Sequence, residues 1–155
     1  MNHRLPNRKH PVHGVELIPG VPTIVMVTVC TKARRAWLAD DEIHLLLREI
    51  WQQATAWLVG RYVIMPDHIH LFAATTEETH SLESWVRYWK SLFSKRHAVA
   101  DHRWQTDHWD RRMRNTRDFE ETWEYVRWNP VRHRLVKKPE EWPYQGELFM
   151  VRLVN

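Results

Sequence analysis

The chain has 155 residues, 43% of them hydrophobic, and a net charge of +4. That is enough apolar material for one cored domain over residues 1–155, and too much for a disordered chain. No apolar run nears the ~18 residues that span a bilayer, so no membrane segment is expected. The longest run, Val21 to Cys30, is short and rich in Val, Thr and Ile, and reads as a buried strand. The opening MNHRLPNRKHP is basic and polar, with no apolar stretch behind it, and so does not read as a secretory signal. The single cysteine, Cys30, lies inside the apolar strand, reads as buried filler and fits a reducing cytoplasm.

Charge is unevenly spread. Between Trp85 and Arg117 stand nine Lys or Arg against three Asp, and the opening adds Arg4, Arg8 and Lys9. This density fits a polyanionic partner, or a solvated helix face. Six of the ten tryptophans (Trp85, Trp89, Trp104, Trp109, Trp123 and Trp128) lie among or near these cations. They can stack on unpaired bases, although core packing takes the larger share of tryptophans in general.

In chain order, residues 1–20 read as an extended basic arm. Thr23 to Thr31 is a strand apolar on both faces, hence covered on both. Asp40 or Asp41 caps a helix expected to run to about Leu58, with Ile43, Leu46, Leu47, Ile50, Ala54, Trp57 and Leu58 at helical spacing. Arg61 to Met65 and His68 to Thr75 are strands joined by a turn at Pro66-Asp67. Ser81 caps a second helix, and Arg103 to Trp109 is a fourth strand. Asp118 with Glu121 forms a possible capping box for a third helix, which Asn129-Pro130 ends near Trp128. Residues 135–155 are a tail. The order β-α-β-β-α-β is that of an α+β, ferredoxin-like antiparallel sheet. The added helix must then cover the sheet face left open by the first two.

Two elements carry chemistry. His68 and His70 alternate with Ile69 on a strand, so they share a face, and neighbouring imidazoles can chelate a divalent metal. With eleven histidines, about one such pair arises by chance, and two hydrogen-bonded histidines on a wet face satisfy the spacing equally. Tyr125 and Asn129 stand four apart on the third helix and share one face of it. A surface tyrosine and a C-terminal Asn cap fit that spacing too.

Taken together these segments resemble a known family. Tyr62-Val-Ile-Met-Pro-Asp-His-Ile-His-Leu71 resembles the HUH motif of single-tyrosine transposases. Tyr125-Val-Arg-Trp-Asn-Pro-Val-Arg132 looks like the tyrosine helix of their REP-associated branch. Trp104-Gln105, Trp109-Asp110-Arg111 and the tail Leu135 to Tyr144 resemble neighbouring family segments. The chain departs at His133 and Arg134, where the family often has Ala and Gly.

The resemblance implies a DNA nicking and joining enzyme. Tyr125 would attack a scissile phosphate to give a 5′-phosphotyrosine. His68, His70 and Asn129 would hold Mg²⁺ or Mn²⁺, and no nucleotide cofactor is implied. The partner would be single-stranded or hairpin DNA, handled by a monomer or homodimer in the cytoplasm, at the nucleoid. Arg8, Arg87, Lys90, Arg111, Arg112, Arg114 and Arg132 are candidate DNA contacts. Arg127 is another, and also a candidate for positive charge beside the tyrosine. The rival reading is a non-catalytic nucleic-acid-binding module on the same scaffold.

Overall fold

The computed structural model describes residues 23–75 and 80–153; the basic arm with Arg8 lies outside the described residues. Strands β1 (Thr23–Cys30), β2 (Leu58–Ile64), β3 (His68–Thr75), β4 (Trp109–Arg112) and β5 (Gln145–Glu147) alternate with helices α1 (Asp41–Gln53), α2 (Leu82–His97), α3 (Thr116–Arg127) and α4 (Asn129–Arg132). The sheet order is β4-β1-β3-β2-β5, and every neighbouring pair is antiparallel. The first four strands therefore form the expected ferredoxin-like unit. None of the described helices is long and apolar enough to cross a membrane.

Strand alternation splits β3 between two cores. Ile69, Leu71 and Ala73 join Val25, Val27 and Val29 of β1 in packing against α1 and α2, with Trp51, Trp85, Trp89 and Phe93 fully or nearly fully buried there. Phe72 and Ala74 point the other way, into a smaller cluster with Ile24, Met113 and Phe119 of α3. The added helix thus covers the face that α1 and α2 leave open, with Phe119 set edge-on to Phe72 at 4.8 Å between ring centroids. Most tryptophans are core or half-buried; Trp128 is the exposed one of those near the cations.

Several boundaries differ from the sequence reading, each for a physical reason. α1 is capped by Asp40, whose carboxylate accepts the Ile43 N–H at 3.1 Å, and it ends at Gln53 rather than near Leu58. Trp57 leaves the helix to enter the core, where its indole donates to the His80 carbonyl. Leu58 then opens β2. The fourth strand begins only at Trp109, because Trp104 makes a lone bridge to Thr31 and packs its ring among Trp37, Trp89 and Phe93. α3 starts earlier than expected. Asn115, not Asp118, accepts the capping N–H, which leaves the Asp118 carboxylate to receive Arg111 and the Arg114 N–H. Pro130 does not end the helical path: Trp128 turns it, and α4 restarts with the proline in its first turn, where a missing N–H costs nothing.

The tail is part of the fold. β5 extends the sheet beyond β2, and Trp142 and Val151 are buried. Gly60 makes this docking possible: a Cβ there would stand 2.5 Å from the Val151 side chain.

Candidate active site on the α3 face of the sheet

The face of β3 that carries Phe72 also carries His68 and His70. Register sets their neighbours: Cys30 lies opposite His68, and Thr28 and Val63 flank His70. The two imidazoles meet edge to face, 4.7 Å between centroids.

Each ring is held by its Nδ1. His68 Nδ1 lies 2.7 Å from the carboxylate of Asp67, which in turn accepts from Arg34 Nε at 3.0 Å. Arg34 Nη2 also comes within 3.4 Å of the same Nδ1. The shorter contact to an acceptor decides the tautomer, so Nδ1–H donates to Asp67. His70 Nδ1 lies 2.9 Å from the Thr28 hydroxyl. That hydroxyl also lies 3.5 Å from the Met26 sulfur, a weak acceptor. His68 therefore keeps its Nε2 lone pair for another partner, the arrangement a metal-ligating histidine requires.

Electrostatics agrees with neutral rings. Burial lowers the His68 pKa and Asp67 restores only part of it. Burial, with the positive groups around it, lowers His70 further. The bonds from His68 and Arg34 hold Asp67 well below the usual carboxylate range, against its own burial.

α3 brings the second half of the site. Phe119, Thr122 and Val126 are buried along one stripe, and Asn129 extends it by three residues into α4. Asn129 is 7% exposed, and its amide lies 3.2 Å from His68 Nε2, across 61 residues of chain. The side chain does not cap a helix; its partner is the histidine. As seen, the amide nitrogen donates to Nε2, and a half-turn of the amide presents its oxygen there instead. Two imidazole nitrogens and an amide oxygen form a donor set that suits Mn²⁺ and, less well, Mg²⁺. Among the described residues no cluster of three His, Cys, Asp or Glu offers a metal site, so a cation here would depend on the amide.

Tyr125 stands one turn before Asn129 and is half-buried. The cation beside it is Arg132, whose guanidinium lies 3.8 Å from the ring centroid and donates to the Tyr125 carbonyl at 2.6 Å. Arg127 is instead paired with Glu124.

The other candidate DNA contacts disperse. Arg111 locks α3 to the sheet through Asp118 and Thr122. Arg114 leans on Asp118 and Arg87 pairs with Glu83. Arg112, on the edge strand β4, is half-exposed. Lys90 departs from the expectation most: it is buried, and its ammonium donates to the carbonyls of Gln105 and Thr106.

Sequence reasoning did not single out Asp67, Thr28 or Arg34. Asp67 had a signal in its adjacency to His68. Thr28 and Arg34 had none, since only register and turn geometry bring them to the rings.

No protein-family model matches the chain. The REP-associated tyrosine transposase of Escherichia coli (strain K12) is 28% identical over 120 residues, covering 76% of this chain and 72% of that protein. A Haemophilus influenzae protein named for the same family is 27% identical over 96 residues, 54% of each chain. Among solved structures, a REP-associated tyrosine transposase bound to a REP hairpin superimposes with a TM-score of 0.73 at 25% identity, over 86% of this chain and 81% of that one.

The fold of this chain, a ferredoxin-like sheet with an added helix across one face, is shared with a DNA transposase. In sequence and in fold alike, this chain is similar to the REP-associated tyrosine transposases.

Proposed function

We propose that the chain is a tyrosine transposase that nicks and rejoins single-stranded or hairpin DNA, with Tyr125 as nucleophile and His68, His70 and Asn129 as ligands of a divalent cation. The observation that carries this reading is the Asn129–His68 contact. It seats the segment that follows the Tyr125 helix against His68, beside His70.

In the first step the Tyr125 oxygen bonds to the scissile phosphorus and the P–O3′ bond breaks. The phenolic proton passes to solvent, and the departing 3′-oxygen takes one up. The product is a 5′-phosphotyrosine and a free 3′-hydroxyl. In the second step the 3′-hydroxyl of another strand attacks the same phosphorus and releases the tyrosine, so no nucleotide is consumed. A divalent cation, when bound, supplies Lewis acidity at the phosphate. Arg132 contributes positive charge beside the ring. Asp67 and Thr28 hold the two rings by their Nδ1 atoms.

The test is incubation with a panel of hairpin-bearing single-stranded DNAs and Mn²⁺, followed by a denaturing gel. A covalent adduct with the wild-type chain is expected. Nicking without an adduct would point to water as the nucleophile.

A further inference from the structure

Two histidines at the end of α2 take no part in any step above. Ala98, in left-handed backbone with φ of 54°, turns the chain back after His97, and the His102 N–H donates to the Val99 carbonyl on the return. The reversal brings His97 Nε2 within 2.8 Å of His102 Nδ1. The two ring centroids are 5.0 Å apart and the ring planes 18° from parallel. That separation is the N···N contact plus two ring radii, so the imidazoles meet edge to edge, nearly in one plane. Trp37 covers that plane. Its indole stacks on His102 at 4.6 Å and 7°, and lies nearly parallel to His97 at 6.1 Å. Phe93 closes on His97 from within α2, at 5.0 Å.

The pair ties together three pieces of chain: the connection from β1 to α1, the end of α2, and the segment leading to β4. That last segment supports the turn Lys32–Arg34. The Arg103 carbonyl accepts the Lys32 N–H, and the Gln105 N–H donates to the Cys30 carbonyl. Trp104 bridges to Thr31 and packs edge-on against Trp37. Arg34 of the same turn holds Asp67.

Proton count decides whether the pair stays closed. A bond between two ring nitrogens needs one donor and one acceptor. Two neutral rings satisfy it. One imidazolium beside one neutral ring satisfies it better, because the bond becomes charge-assisted and the charge lies against the face of Trp37. Two imidazoliums cannot, since both facing nitrogens then carry protons and the like charges repel. The charged groups around the pair do not remove that conflict. Asp40 and Glu42, at the start of α1, favour charge on His97, yet burial and His102 outweigh them and its pKa is lowered. Asp101 and Arg103 flank His102 with opposite signs, Lys95 on α2 is exposed, and Arg96 is paired with Glu49. A histidine lowered in the folded state adds stability above its ordinary pKa, near ~6.5. That contribution is lost as pH falls through the folded value.

We propose that His97 and His102 form an acid-released latch. It is closed while the two rings share a proton, and it opens when both are charged. Opening frees the segment from Ala98 to Gln105 and, through it, the turn that carries Arg34. The latch stands on the geometry of the two rings and Trp37 and does not depend on the nuclease reading.

The test is amide hydrogen exchange by NMR on the full chain without DNA or metal, at about pH 7.5 and about pH 5, on either side of the ordinary histidine range. Rates are corrected for the intrinsic pH dependence of exchange. The amides read are Lys32, His102 and Gln105, and the β3 amides report global opening as the reference. In the wild type, protection of the three relative to β3 should fall about tenfold or more at the lower pH, the loss of one charge-assisted bond. His97→Gln supplies an amide that can donate or accept, so it keeps the bond but cannot be charged. Its relative protection should change by less than about twofold over the same range. His97→Ala should show the low protection at both pH values. No fall in the wild type overturns the latch. An equal fall in His97→Gln also overturns it, by assigning the effect to another group such as His44 or the β3 histidines. Full protection in His97→Ala at the higher pH shows that the rings do not hold the segment, and overturns it as well. If His97→Gln does not fold, His102→Asn places an amide near the other ring nitrogen and is held to the same outcomes.

Discussion

Along β3, the residues facing α1 and α2, namely Ile69, Leu71 and Ala73, are apolar and fully buried. Those facing α3 start with two hydrogen-bonded imidazoles and end in Phe72 and Ala74. The first side is a close-packed core in which each methyl group contributes to stability. The second is split: an apolar half near Phe119 seats α3, and a polar half gathers His68, His70 and Asn129. A strand can do both because its side chains alternate, so conserving the core on one face places no demand on the other. The lesson is that truncations on the two faces should fail in different ways.

The largest expected effect lies on the polar side. Tyr125→Phe keeps the ring and its packing under Arg132 but removes the oxygen proposed as nucleophile. Covalent adduct should fall below detection on a denaturing gel, with DNA affinity nearly unchanged in an anisotropy titration. A comparable nicking rate in the Phe variant would sink the nucleophile assignment.

A crossed pair of variants tests the two-face contrast directly. Leu71→Ala should cost about 2–5 kcal/mol in denaturant unfolding while leaving Mn²⁺ stabilisation of the remaining folded protein intact. His70→Ala should cost less in the absence of metal, but abolish the rise in melting temperature that saturating Mn²⁺ gives. For a single site at a hundredfold excess over Kd that rise corresponds to ~2.7 kcal/mol. If His70→Ala still shows the full Mn²⁺ effect, the cation binds elsewhere.

Smaller effects grade the supports of the site. Asn129→Ala should shift the Mn²⁺ midpoint of cleavage upward, with rescue at high Mn²⁺. Its side chain touches His68 rather than capping a helix, so an unshifted midpoint removes it from the site. Asp67→Asn keeps the shape but loses the charge that orients His68. It should weaken metal affinity by about 10–100-fold, read by calorimetry on the DNA-free protein, with Asn129 and His70 unaltered. A purely structural Asp67 would lower the melting temperature and leave that affinity alone.

A pH effect belongs to the apolar half, through the lock that seats α3. Burial would raise the Asp118 carboxyl, but the Arg114 N–H and the Arg111 guanidinium outweigh it and its pKa is lowered. A carboxylate depressed in the folded state adds stability above its ordinary pKa, near ~3.9. That stability is lost as pH falls through the folded value. Acid titration of the melting temperature should therefore be flatter for Asp118→Asn than for wild type below about pH 4. The smallest effect is at Arg134, whose φ is 59°. It is a position where the family resembled often has glycine. Arg134→Gly relieves the left-handed conformation at some cost in unfolded-chain entropy. The net should be a gain of about 0.5 kcal/mol in chemical denaturation, without change in cleavage.

The sequence by itself determined what short-range periodicity can encode. The apolar run from Thr23 to Thr31 specified a strand covered on both faces. The helical spacing of Phe119, Thr122 and Val126 specified a one-sided helix, and His-x-His on a strand specified that both imidazoles share a face. The resemblance of the tyrosine segment to a known family added the expected chemistry. Only the tertiary structure decided what depends on pairing distant segments. Register put Thr28 beside His70. The path of α3 into α4, turned at Trp128 instead of stopped at Pro130, set Asn129 against His68 from 61 residues away. The turn at Ala33 and Arg34 brought a guanidinium to Asp67. It also decided which cations are spent inside the fold, as Lys90 and Arg111 are. Such pairings follow from the global packing of two cores on one sheet, where a one-residue slip in register turns every side chain to the opposite face. No local pattern in the chain records which register wins.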